Sequence, residues 1–485
     1  MINSIFFKKA NIFRDVIHDT ITTTVIASAI INSTYFQRLR YLQQLGICFL
    51  VFPTANNKRF EHSIGTYHLV EKLLINIINN SDVKEINNSL LKVPFIKNYI
   101  LSLRGLSDTE DIGHIDINKE VLLDNYLIEL IKIAGLCHDL GHGPLSHLFD
   151  EWLLTQDNLK DNIMIHHENR SVRILQEIIN TTWIGDTLLK EFIDDNAFKF
   201  IAELINPTKD TPQNFIFQIV SNNTNGLDVD KLDYICRDSF YLGLNTSFQF
   251  TRVITNVKVI NDNICFPEKN SYDILKIFRT RYDLHKQFYN HKTVICIELF
   301  IKKILDRLDS LIDIKSVFTK GFNAVGTIST DGFNVDRFDV DRFNELTDAT
   351  IFNTTTALLS FVFARIDDGS IANIMFINNI LKNINSRNLY KNVYFKVVSV
   401  IENINEEYEI NEFIKNNPNY NKNDLIPVTI KIGFLSGDKG HPFDYIYFYD
   451  KKDNCRTLPL NSISLLTNET YQEKLFFIVY TNNID

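Results

Sequence analysis

Five of the twelve histidines fall between His138 and His167, in a segment that opens IAGLCHDLGHGPLSHLFDEW. Folding alone does not ask for so much imidazole and carboxylate in an apolar frame. A lone buried histidine is most often a hydrogen-bonded core residue. The adjacent pair His138–Asp139 is different, because it ends an apolar helical run just before LGHGP, whose Gly and Pro turn the chain sharply. Such a pair can aim an imidazole nitrogen and a carboxylate oxygen at one ion. Two more ligands would close the site: His62 in NKRFEHSIG and Asp230 in NGLDVDKLDY. Two histidines and two carboxylates suit iron, manganese or zinc, with coordination positions left for water and substrate oxygens.

Helical spacing adds two polar stripes. Asp230, Tyr234 and Asp238 fall at i, i+4 and i+8, so one helix face carries a metal ligand and two further polar groups. Arg281, His285 and Tyr289 repeat that spacing later in the chain. Either stripe alone reads equally well as a hydrogen-bonded structural face.

The elements that must position these residues are mostly helical. From about residue 20 to 310 the apolar period is that of helices. TYFQRLRYLQQLG places Phe36, Leu39 and Leu42 at helical spacing and stops at Gly46, and KIFRTRYDLHKQFYNHKTVICIELFIKKIL is long and amphipathic. Residues 320–345 break the pattern, and the tandem VDRFDVDRF within them reads as a solvated connector. Past about residue 392, NVYFKVVSV, LIPVTIKIGF, DYIYFYD and KLFFIVY read as strands. The expectation is a mainly α protein, a helical core with a smaller α+β C-terminal lobe. With 485 residues, 45% hydrophobic and 22% charged, the chain is globular and long enough for two or three domains. A net charge of −9 does not advertise nucleic-acid binding, so an anionic ligand must be held by a local group of Lys and Arg. Six scattered cysteines without a CxxC pair read as free thiols in a reducing compartment. The N-terminus lacks a signal-peptide pattern and no stretch reaches the roughly 18 apolar residues of a membrane span. An intracellular protein, cytoplasmic by default, is expected.

The four ligand positions read H…HD…D, and here the chain resembles the HD-domain phosphohydrolases. FQRLRYLQQLG, VFPTANNKRFEHSIGTYHL, LCHDLGHGPLSHLFD, NGLDVDKLDYICRD and YNHK, in that order, narrow the resemblance to the SAM- and HD-domain deoxynucleoside triphosphate triphosphohydrolases. It runs from near the start to the C-terminal lobe, with no SAM domain read ahead of it. The resemblance implies an HD-type catalytic helical domain over 1–315, a connector and helical oligomerisation region over 316–391, and the α+β lobe over 392–485. It implies hydrolysis of a dNTP to the deoxynucleoside and inorganic triphosphate, with Fe, Mn or Zn at the HD site and Mg accompanying the triphosphate. His147 matches the general acid, with Asp150 to orient or charge it, and His142 and His167 match positions near the α-phosphate. Arg59, Lys231 and Arg281 match the cations that hold the triphosphate. Gln44 and Asp238 match contacts of the sugar 3′-hydroxyl. Leu45 and Tyr289 match the pair that crowds the 2′ position and excludes ribonucleotides. Tyr234 and His285 complete the substrate side, and Asn290 stands where the family usually has Gln. His166, beside them, is expected at the surface.

Relatives of this kind form homo-oligomers, dimers or tetramers, driven by an activating nucleotide, GTP or a dNTP. Gln37, Arg40, Arg252, Lys269, Arg387 and Lys391 match basic or polar positions of those sites, and Lys439 is another candidate. Three departures bear on control: Asn32 replaces the acidic residue that selects guanine, and Asn11 and Pro267 replace basic ones. Oligomerisation with relaxed GTP dependence is the expectation. Two other readings compete: an HD phosphodiesterase or nuclease, and a nucleotide- or single-strand-binding scaffold with little turnover. The crowding at the 2′ position argues against the first. The acidic balance and the lack of an aromatic-basic strip argue against the second.

Overall fold

Two helices set the geometry of the HD region. The computed structural model describes residues 4–105, 116–181, 186–246, 248–319, 338–353, 368–435, 440–465, 470–482 and 484. Helix Arg59–Asn80 buries Tyr67, Val70, Leu74 and Ile77 at helical spacing, and helix Asn125–Cys137, capped by the Asp124 side chain, presents Leu127, Leu130, Ile131 and Ala134 to it. The pair packs closely because Gly135 has no side chain, and a Cβ there would lie 2.9 Å from Val70 Cγ2. Thr66 Oγ1 donates to the Gly135 carbonyl across the same contact (2.7 Å). His62, one turn before Thr66, is thereby brought beside His138, with ring centroids 5.2 Å apart.

Helix Val229–Leu242 crosses the first of these. The Asp228 side chain caps it by accepting the Lys231 N–H (3.0 Å), and Gly243 at φ +69° ends it in the left-handed region. At the crossing, a Cβ on Gly65 would fall 2.1 Å from Asp233 Oδ1, so only glycine lets the Asp233 and Arg237 side chains approach.

The fold is mainly helical with small sheets, as expected. All four expected C-terminal strands form. Lys391–Ser399, Gln472–Tyr480 and Leu425–Gly433 make an antiparallel sheet with Gln472–Tyr480 central, and helix Glu406–Asn416 lies against it through Ile410 and Phe413. Tyr447–Tyr449 joins a four-stranded sheet and runs parallel to Asn263–Pro267. Among the described residues a large apolar core runs from Phe6 to Val479, and a smaller one of Ile410, Phe413, Leu425, Phe476 and Ile478 lies in the C-terminal lobe.

Four details depart from the sequence reading. First, TYFQRLRYLQQLG is not one helix: Thr34–Gln37 is α-helical, Arg38–Tyr41 is a 3-10 turn, and the chain then turns outward to Gly46 at φ +52°. Buried Arg38 diverts it, donating to the carbonyls of His142 (2.8 Å) and Leu346 (2.9 Å). Second, the helical region also holds the hairpins Lys9–Asp15/Asp19–Thr24 and Lys258–Ile260/Asn263–Pro267. The second turns at Asn261–Asp262, both at positive φ, a conformation these side chains tolerate. Third, the long amphipathic run divides into helix Ser271–Leu284, a π-helical turn His285–Tyr289, and helix Lys292–Ile312 capped by His291. Fourth, the second VDRF copy is not a solvated connector. Val340 and Phe343 are buried in a short helix, and the Phe343 ring takes the guanidinium groups of Arg38 (4.5 Å) and Arg170 (5.4 Å). The start of the duplication lies outside the described residues, as does Lys439.

Candidate active site

His62 Nε2 lies 3.1 Å from Asp230 Oδ1 and 3.5 Å from Asp139 Oδ2. His138 Nε2 lies 3.4 Å from Asp139 Oδ1 and 3.5 Å from Asp230 Oδ1. His62, His138 and Asp139 thus bring ligand atoms within 4.8 Å of one another, and Asp230 Oδ1 stands beside the two imidazole nitrogens. The other ring nitrogens are engaged: His62 Nδ1 meets Asp233 Oδ2 (2.8 Å) and His138 Nδ1 meets the Gly135 carbonyl (2.8 Å). With a metal ion in place, each Nδ1 would keep the proton and each Nε2 would turn its lone pair inward. Nε2 of His138 is buried without a hydrogen-bond partner among the described residues. Burial alone would lower the His62 pKa, yet the carboxylates of Asp230 and Asp233 raise it to about 10, so the point of convergence favours positive charge. An orphaned nitrogen, a negative field and an N/O donor set fit a divalent metal ion.

Behind His62 stands a buried network. Asp233 accepts from His18 Nε2 (2.6 Å) and from Arg237 Nε (2.8 Å), and Arg237 Nη1 reaches Asp15 (2.8 Å). Against burial, Arg237 and the two histidines hold the Asp233 carboxyl well below the usual range. Asp139 is held low in the same way by the Arg59 guanidinium, which contacts its Oδ2 at 2.5 Å.

The second cluster follows directly. His142 lies 3.3 Å from Asp139, stacks on His167 at 3.9 Å between ring centroids, and has His147 edge-on at 5.0 Å. Of the two roles expected of Asp150, its charge does favour the His147 imidazolium, but its hydrogen bonds go to His167 Nδ1 (3.0 Å) and to Arg170, so it does not orient His147 directly. The reason is geometric, since helix His147–Leu154 turns Asp150 toward helix His167–Asn180, which carries both partners. His147 opens to the cavity; burial of its surroundings, Arg59 and His167 hold its pKa below the ordinary value. His166 is exposed.

These clusters form one wall of a cavity of about 850 Å³. All ten substrate-side residues line it: Gln44, Leu45 and Arg59 from the N-terminal turn and helix; Lys231, Tyr234 and Asp238 from one face of Val229–Leu242; Arg281, His285, Tyr289 and Asn290 around the π-helical turn. Asp238 accepts from Tyr289 OH (2.6 Å) and Asn57 Nδ2 (2.7 Å), and burial raises its pKa to about 6. Lys231 pairs with Asp228 (3.2 Å), and Arg281 donates to the Gly433 carbonyl of the C-terminal sheet. That sheet supplies Val428, Ile430 and Lys431 to the cavity. The π-helical turn rotates His285 and Tyr289 into line with Arg281.

The residues matched to regulation lie in three surface groups. Gln37 donates to the Ile31 carbonyl beside Asn32 and accepts from Arg40 (2.8 Å), whose guanidinium lies over Phe60. Arg252 pairs with Asp273 (3.1 Å), and its carbonyl accepts from Asn270, the neighbour of Lys269. Arg387, at φ +60°, reaches the Leu50 carbonyl (2.8 Å), with Lys391 opening the next strand.

Sequence reasoning missed Asp233, Arg237, Arg38 and Asp348. Asp233 left a signal, standing three residues after Asp230 in a helix and so one turn along the same side. Asp348 left none. Its carboxylate accepts the backbone N–H groups of Gln43 and Leu145, both at 2.7 Å. Leu145 and Ser146 are both at positive φ, +59° and +60°, just before His147. Ser146 Oγ donates to the Gln43 carbonyl (2.6 Å) and accepts from Arg59 Nε (2.9 Å).

The HD domain family matches residues 112–235. An HD domain-containing protein of Acanthamoeba polyphaga mimivirus is 36% identical over 472 residues, covering 95% of this chain and 90% of that one. The deoxynucleoside triphosphate triphosphohydrolase SAMHD1 homolog of Dictyostelium discoideum is 31% identical, covering 96% of this chain and 77% of its own. Bovine SAMHD1, of the same description, is 30% identical over 96% of this chain and 74% of its own. With the converging H…HD…D side chains and these near full-length relatives, the chain belongs to the HD-domain deoxynucleoside triphosphate triphosphohydrolase family.

Proposed function

We propose that the protein hydrolyses deoxynucleoside triphosphates to the deoxynucleoside and inorganic triphosphate. The observation that carries this reading is the placement of the metal donors, Arg59, Lys231, Arg281 and the Leu45–Tyr289 pair around a single cavity. His62, His138, Asp139 and Asp230 would hold the ion, with iron, manganese or zinc suited to the donor set and magnesium to the triphosphate. When bound, such an ion supplies Lewis acidity at neutral pH beside the scissile phosphate.

The chain's own groups do the rest. Arg59, Lys231 and Arg281 bind the triphosphate and oppose its charge as the P–O bond breaks. His147 faces the cavity and donates the proton that the leaving 5′-oxygen needs, and the triphosphate's own negative charge favours its imidazolium form. Asp150 acts through His167 and, by their stacking, His142, fixing both rings beside His147. Because Asp150 is already neutralised by Arg170, this second cluster suits proton handling and phosphate contact better than a second metal ion. Gln44 and Asp238 hold the 3′-hydroxyl, and Leu45 with Tyr289 leaves no room for a 2′-hydroxyl. Catalysis belongs to 1–315 and oligomerisation to 316–391, while the 392–485 lobe closes one side of the cavity. A nucleotide-regulated homo-oligomer is part of the same proposal.

The test is incubation with each dNTP and matching rNTP in the presence of manganese or iron, with products separated by ion exchange. Deoxynucleoside and intact triphosphate are expected from dNTPs only, and Asp139→Ala should abolish both. Monophosphate with pyrophosphate would overturn the cleavage assignment.

A further inference from the structure

The cavity wall also holds residues to which no phosphate or sugar contact is assigned. Ile47 and Cys48 follow Leu45 along it, and helix Lys292–Ile312 adds Ile295, Glu298, Leu299 and Lys302, with Glu151 from the helix of His147. Charge neighbours connect this end to Asp238. Cys48 feels the charges of both Asp238 and Glu298, and Glu298 in turn those of Glu151 and Lys302. Ile295, Glu298, Leu299 and Lys302 follow one face of helix Lys292–Ile312, and Glu151 stands one turn past His147 on its own helix. Lys302 and Glu151 are paired with each other at 3.0 Å. Glu298 is half-buried in the wall, and nothing among the described residues hydrogen-bonds its carboxyl group. A polar group in a ligand cavity without a protein partner is a place where a ligand's polar edge fits.

We propose that this end of the cavity seats the base of the substrate, and that Glu298 is the specificity residue meeting the base's hydrogen-bonding edge; the inference rests on the dNTP reading of the site. Leu299, half-buried in the wall, offers an apolar surface to the face of a heteroaromatic ring, with Ile47 and Ile295 buried in the same wall, which leaves the ring's edge for Glu298. Burial and the Glu151 charge, opposed by Lys302, push the Glu298 carboxyl up to about 8. A neutral carboxyl offers one donor and one acceptor, which matches an N–H/C=O edge of guanine or thymine as well as the amino/ring-nitrogen edge of adenine or cytosine. Once ionised it only accepts. It then suits the adjacent N–H donors of guanine and opposes the carbonyls of thymine. Glu151 and Lys302 are the charged groups facing it from the two helices, and burial keeps the Cys48 thiol neutral. Tolerance of all four bases at neutral pH, giving way to guanine preference in mild alkali, follows.

The experiment is the ratio of dGTP to dTTP affinity, by calorimetry on the manganese-loaded protein with α-thio analogues that slow attack at the α-phosphorus, at about pH 6.5 and about pH 8.5, on either side of the raised Glu298 value. A ratio cancels titrations, such as that of His147, which act on both substrates alike. In the wild type it should rise roughly fivefold to tenfold, the effect of a hydrogen bond to a charged group. In Glu298→Gln, whose amide keeps one donor and one acceptor at every pH, it should stay flat. A flat ratio in the wild type, or the same rise in the variant, overturns the proposal. The kcat/KM ratio should move in parallel; nucleotides that bind with the expected ratio but release no triphosphate would refute the hydrolase reading and leave the base seat standing.

Discussion

Asp238, proposed above to bind the substrate, carries a cost in stability. It accepts from Tyr289 and Asn57, yet burial raises its pKa to about 6, so the folded protein binds a proton that the unfolded chain has released. Between about pH 4 and 6 stability therefore falls as pH rises, and above 6 the full cost, on the order of 3 kcal/mol, is present. Asp238→Asn removes it. Relative to wild type, the variant should gain stability on going from about pH 4.5 to 7.5 in chemical denaturation, while its kcat/KM for dNTPs drops at least about tenfold. Asp233 behaves in the opposite way. It neutralises Arg237 and orients His62, so Asp233→Asn leaves a buried guanidinium facing a neutral amide. A loss of about 3–5 kcal/mol is expected, with metal content reduced in whatever folds, as read by elemental analysis. Retained stability with full metal occupancy would refute that role.

At the scale of elements, the loop Gly141–Ser146 is held in place from outside. Two consecutive non-glycine residues at positive φ cost about 1–3 kcal/mol each, and surrounding structure must fix them. Asp348 does so by bridging Leu145 to Gln43, which lie two residues before His147 and Leu45 respectively. Asp348→Ala should lower kcat more than it raises KM, and lower Tm by several degrees, because two buried N–H groups lose their acceptor. A change in Tm alone would reduce Asp348 to a structural residue. This clamp also shows where sequence reading ends. HD, EHSIG and DVDKLD carry their chemistry in local spacing, and helices at 3.6 residues per turn bring those side chains together predictably. Asp348 acts across 203 residues of chain on a loop whose conformation no period encodes. The expected helix ending at Gly46 failed for the same reason: buried Arg38 bonds to the His142 and Leu346 carbonyls, and tertiary contacts override local propensity. The buried second VDRF copy is likewise decided by Arg38 and Arg170, which need the Phe343 ring.

For the whole molecule, the proposed nucleotide control would have to pass from surface to cavity, and Arg387 offers one route. It follows helix Asp368–Asn385, which packs along Lys292–Ile312, and it reaches the Leu50 carbonyl in the stretch that begins with Gln44 and Leu45. On that proposal, an anionic group arriving at Arg387 would compete for its guanidinium and so act on the segment that carries Gln44 and Leu45. A second group, Asn32 with Gln37 and Arg40, lies on the N-terminal surface. Asn32 offers one carbonyl acceptor and an amide donor, whereas a carboxylate would accept both N–H groups of a guanine edge. The wild type should therefore respond to GTP and to adenine nucleotides within about tenfold of each other, followed as activation of dNTP hydrolysis and as sedimentation of the oligomer. Asn32→Asp restores the paired acceptors at an exposed position where folding is not at stake. It should raise the preference for GTP by about tenfold, the value of one charge-assisted hydrogen bond. Strict GTP dependence in the wild type, or no change in the variant, would show that the nucleotide is read elsewhere, and Arg252 with Lys269 would be the next group to substitute.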